Sequence, residues 1–164
     1  MSREQDGTTE DAPRGGGPAG TGRVVLATRF EEEAKATAEV AAGLSDALGL
    51  ELMVLYVAVE LDTAQLVASQ GGLDEDVVDE EIIAALEEDA RAYAEDWFPG
   101  RDFRVVVGQG RVVETIVEHA EAPETELLVV GHHQHGPLAR LFGADPAHDL
   151  LERAPCPVVV VPLQ

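Results

Sequence analysis

The chain has 164 residues, 45% of them apolar, and 32 acids against 11 bases give it a formal charge of −21. The length suits one domain with one core, and the acidity excludes nucleic acid and an anionic membrane surface as first partners, because every encounter would begin in Coulomb repulsion. A lone cysteine, Cys156, permits no internal disulfide and fits a reduced, cytoplasmic setting.

Only Lys35 among the bases is lysine; the others are arginine. Such an acid excess suits a protein working in concentrated salt, where a Debye length of about 3 Å at 1 M screens the self-repulsion. Residues 1–22 are small, polar and broken by Gly and Pro, and read as a flexible tail before a domain over residues 23–164. They contain no apolar core of a signal peptide, and no later apolar stretch approaches the ~18 residues that span a bilayer.

Residues 24–27 open a first strand that ends at Thr28-Arg29-Phe30. A helix is predicted over 31–48, with Val40, Leu44, Ala47 and Leu48 at helical spacing and Gly49 placed to end it. The nearly continuous apolar run at 50–59 is a second strand, of the kind buried on both faces of a parallel sheet. After a long connection, residues 74–98 place Val78, Ile82, Leu86, Ala90, Tyr93 and Trp97 at helical intervals, among eleven acids and a single base, Arg91. This charged face reads as solvated surface. A third strand at 103–107 leads through Gly108 and Gly110 to a third helix with Val113, Ile116, Val117 and Ala120 on one face. Residues 126–131 form a fourth strand, 145–153 a fourth helix, and 158–161 a fifth strand between Pro157 and Pro162.

Strands alternating with helices, without hairpin signals, specify an α/β fold: one doubly wound domain with a five-stranded parallel sheet and four helices. Ligands of such folds bind outside the carboxyl ends of the strands, where the winding reverses. The loops after the first and fourth strands, beginning at Thr28 and Gly131, are therefore the places to look.

The order of elements over 23–164, the segment VVGHHQHGPLARLFG and the closing RAPCPVVVVP together resemble the universal stress protein family. The resemblance implies a nucleotide-binding-like fold, a role in stress response and a homodimer. In members that bind ATP it implies a loop of Gly, two residues, Gly, nine residues, then Gly followed by Ser or Thr, and an acid after the first strand holding the adenine side. This sequence keeps Gly131 but has Gln134, Ala144 and Asp145 at the next three diagnostic positions, and Arg29 in place of the acid. Asp145 before Pro146 is a strong helix start that would cap the amides a phosphate needs. It would also set a like charge beside that phosphate, at about 1 kcal/mol for 4 Å in water and about 4 at an effective dielectric of 20.

The candidate binding residues are thus Thr28, Arg29, Gly131, His132, His133, Gln134, His135, Gly136, Arg140, Gly143, Ala144 and Asp145. The expected function is a non-catalytic, dimeric binding and regulatory module that requires no cofactor. The alternative is an ATP-binding switch or slow ATPase whose shifted register uses Gly143 for the turn and Arg140 for the phosphate. A further alternative takes His132, His133 and His135, with His148 and Asp145 or Asp149, as a metal sensor. No spaced cysteines or second histidine pair complete such a site, and clustered imidazoles would equally serve to sense pH. Cys156, between prolines, reads as a packing residue. Val158, Val159, Val160 and Val161 make a flat apolar strand that, at a sheet edge, calls for pairing with a second copy.

Overall fold

A computed structural model of the chain describes residues 22–58, 75–133 and 146–163. The first strand, β1, is Arg23–Thr28, and a single 3₁₀ turn, Glu32–Ala34, leads into helix α1, Lys35–Leu48. Strand β2 is Glu51–Ala58, helix α2 is Glu75–Trp97 and strand β3 is Arg104–Gln109. Helix α3, Val112–Ala120, strand β4, Thr125–His133, helix α4, Pro146–Arg153, and strand β5, Val158–Leu163, complete the order. The expected tail lies outside the described residues, apart from Gly22.

Among the described residues the five strands form one parallel sheet in the order β3-β2-β1-β4-β5. The winding therefore reverses between β1 and β4. Alternate residues of the central strands feed two cores. On one face Val24, Leu26, Leu52, Val54 and Val129 meet Ala38 and Ala41 of α1 and Ala90 and Ala94 of α2. On the other, Val25, Met53, Leu55, Leu128 and Val130 meet Ile116 and Val117 of α3 and Leu150 of α4. Both faces of β1, β2 and β4 are covered, which is why these strands read as continuous apolar runs rather than alternating ones.

The buried face of α1 differs from the predicted one. Thr37, Ala38, Ala41 and Ser45 are buried, Leu44 is half-buried, and Val40, Ala47 and Leu48 are exposed. Hydrophobicity alone marks the bulkier stripe, but small side chains let the helix lie close to the sheet, and Ala90 and Ala94 of α2 act in the same way. Gly49 ends α1 in the left-handed conformation (φ 66°), as expected, and the Ser45 hydroxyl donates to the Leu50 carbonyl at 2.6 Å. Arg101 holds Asp46 through both guanidinium nitrogens and donates to the Ala42 carbonyl, joining the carboxyl end of α1 to the segment before β3.

Two further boundaries move. Strand β4 continues through Gly131, His132 and His133, which were expected to open a loop, because β5 pairs with it as far as His133 opposite Leu163. Pro162 lies inside β5 instead of bracketing it; β5 is an edge strand, where a missing N–H costs no ladder bond on the open side.

Candidate functional site

The carboxyl ends of β1 and β4 lie side by side at the reversal of winding, with Ala27 in register with Val130. Thr28 closes β1 and is buried, and its hydroxyl accepts a hydrogen bond from the Phe30 N–H at 3.2 Å. That bond supports an unusual turn. Phe30 has φ 57°, the one non-glycine residue with positive φ among the described residues, a conformation that costs an L-residue with a bulky side chain about 1–2 kcal/mol.

Ring packing compensates. The Phe30 ring centroid is 5.5 Å from Tyr93, 5.2 Å from Trp97 and 5.8 Å from Tyr56. Such pairs contribute about 0.5–1.5 kcal/mol each beyond area burial. The turn thereby anchors the entry to α1 on β2 and α2, and Arg29 stands exposed between Thr28 and Phe30.

On the β4 side, Gly131 sits under the first turns of α1. A Cβ built there would lie 2.8 Å from Leu163 Cδ1 and 3.0 Å from Thr37 Oγ1, so only glycine lets these groups approach. Thr37 is buried, and its hydroxyl oxygen has no hydrogen-bond partner among the described residues.

Over residues 20–162 the chain matches the sequence model of the Universal stress protein family. The chain belongs to the universal stress protein family. Among solved structures it is similar to a universal stress protein in complex with cAMP, at 21% identity and a TM-score of 0.59, over 87% of this chain and 98% of that one. It is similar also to the universal stress protein UspA from Lactobacillus plantarum, at 20% identity and a TM-score of 0.56, over 87% and 99% of the two chains. A universal stress family protein from Burkholderia pseudomallei matches at 20% identity and a TM-score of 0.54, over 87% and 96%. Among curated proteins none matches.

In this universal stress protein the structure brings Thr28, Arg29, Gly131, His132 and His133 to one pole of the sheet. His132 is half-buried in β4, and His133 ends the strand. Gln134, His135, Gly136, Arg140, Gly143, Ala144 and Asp145 lie outside the described residues. Helix α4 begins at Pro146, as a proline in the first helical position requires. His148 reaches Glu152 along α4 at 3.5 Å. Among the described residues no group of three or more His, Cys, Asp and Glu is arranged to hold a metal ion.

Cys156 is half-buried against the α3–α4 core, and that burial pushes its thiol above the ordinary range. No described helix is long and apolar enough to cross a membrane. The residues that sequence reasoning passed over are Phe30, Thr37 and Leu163. A positive φ at phenylalanine leaves no mark in composition or spacing, and Thr37 and Leu163 matter only because tertiary packing sets them against Gly131.

Proposed function

We propose that this universal stress protein is a non-catalytic, homodimeric binding and regulatory module of the stress response in the cytoplasm, with a degenerate nucleotide loop. The observation that carries the reading is the turn after β1. Where the resemblance calls for an acid on the adenine side stands the exposed cation Arg29, and the neighbouring Thr28 hydroxyl is engaged by the Phe30 N–H. Ala144 and Asp145 at the phosphate positions act in the same direction.

The dimer reading is supported at the other end of the sheet. β5 is an edge strand whose Val158, Val159, Val160 and Val161 are all only half-buried, an association hazard unless a second strand covers them. Exposed Leu151 lies on α4 away from Arg153, which reaches Glu114 of α3 at 3.5 Å.

Calorimetric titration of ATP with Mg²⁺ into tag-free protein in molar salt tests the nucleotide question. The unaltered protein is expected to give no binding heat and the double variant Ala144→Gly, Asp145→Ser to bind; a micromolar Kd for the unaltered protein would overturn the reading. A second reading, an ATP-governed switch or slow ATPase built on Gly143 and Arg140, is favoured by the cAMP complex of a protein with this fold. The same titration separates the two.

A further inference from the structure

The turn at the carboxyl end of β1 is held by two opposed forces. Phe30 keeps a φ of 57°, which its backbone resists, while its ring rests on Tyr56 of β2 and on Tyr93 and Trp97 of α2. Strain and ring contacts are of like size. The seated ring therefore prevails by a modest margin over a state in which the ring has left and the backbone has relaxed.

The surroundings make that departure a local event. Phe30 packs at the rim of the core under α1 and α2 and is half-buried, Tyr93 beside it is exposed, and so is Arg29 next to it in the chain. The ring can leave toward water without opening the sheet. Ala34, at the N-cap of α1, offers no side-chain hydrogen bond to the helix. The entry to α1 is held instead by the ring and by the Thr28 hydroxyl, which accepts from the Phe30 N–H. Thr28 stands opposite Tyr56 across β1 and β2, so hydroxyl and ring seat lie on adjacent strand ends and act on the same turn.

We propose that Phe30 is a two-state latch that couples the carboxyl pole of the sheet to helix α2. Seated, it fixes Arg29 at the pole and secures Tyr93 and Trp97. Released, the backbone returns to negative φ, the Thr28 hydroxyl loses the Phe30 N–H, Arg29 moves with the turn, and α2 loses its contact with the entry to α1. A bias at one end is felt at the other by the same factor. A ligand that holds Thr28 or Arg29 in the released geometry loosens α2, and a contact that secures Tyr93 and Trp97 closes the turn. The use of the latch rests on the reading of this pole as the binding end of the chain; its existence does not, and it is tested without a ligand.

The test uses the full chain in salt at which it is folded. Trp97 is its one tryptophan, so 5-fluorotryptophan labelling gives a single fluorine signal, and that signal shifts when the Phe30 ring, 5.2 Å away, departs. Fluorine relaxation dispersion on the unaltered protein is expected to show exchange with a minor state of about 1%. Thr28→Val keeps the shape of the side chain and removes the acceptor, and Tyr93→Ala removes one ring contact at an exposed position. Each should raise the minor population about fivefold, and Phe30→Gly should abolish the exchange. A flat profile in the unaltered protein and in both of the first two variants would overturn the proposal. So would a population that either of them leaves unchanged, or exchange that persists in Phe30→Gly, which would assign the motion to α2 alone.

Discussion

At the scale of single residues, Phe30 is the clearest case of a side chain working against its own backbone. Its left-handed conformation is unfavourable, and its ring contacts to Tyr56, Tyr93 and Trp97 hold it there. Removing the ring while keeping a Cβ retains the strain and loses the contacts, so Phe30→Ala is expected to cost about 2 kcal/mol. Phe30→Gly should be about 1 kcal/mol less damaging, because glycine accepts positive φ. This order reverses the usual one. Urea unfolding followed through Trp97, the one tryptophan of the chain, checks it, and Gly no better than Ala would show that the turn is unstrained.

At the scale of elements, Arg101 ties the carboxyl end of α1 to the segment entering β3. The hydrogen bonds from Arg101 hold the Asp46 carboxyl below the usual aspartate range and raise Arg101 in turn. A carboxylate with a depressed folded pKa adds stability that is fully present above the unfolded value of about 3.9 and is lost as pH falls through the folded value. Asp46 is exposed and Arg101 half-buried, so the effect is small. Arg101→Ala should lower the melting temperature slightly by a constant amount above about pH 5, with the difference closing below about pH 4. A gap that persists in acid would assign the loss to the Arg101 contact with the Ala42 carbonyl instead.

At the scale of the whole molecule, net charge and the exposed edge of β5 set the behaviour in solution. Lysine on an edge strand is a common guard against pairing, and its long stem keeps the strand's apolar contacts. Val160→Lys is accordingly expected to weaken self-association at least tenfold, about 1.4 kcal/mol, with a halved sedimentation mass at dilute protein. A strictly monomeric unaltered protein would remove the dimer. The acid excess has its own test: the melting temperature should rise from dilute buffer to molar KCl as self-repulsion is screened. Indifference to salt would leave the chain simply an acidic protein.

The alternation of apolar runs with amphipathic stretches determined the α/β class, the number of strands and helices, and the glycine that ends α1, because burial on both faces of a parallel sheet and left-handed helix ends impose local patterns that are visible in one dimension. The pole of the sheet at Thr28 and Gly131 was legible for the same reason, since strand ends and winding follow from element order. Which face of α1 is buried, what packs against Gly131, and how Phe30 is held were decided only by tertiary structure. Ala38 and Ala41 outrank Val40 and Leu48 because closeness to the sheet matters more there than hydrophobicity, and Gly131 is constrained by Thr37 and Leu163, residues far from it in sequence. Local propensity does not encode contacts made between distant segments, and those contacts place the side chains of this site.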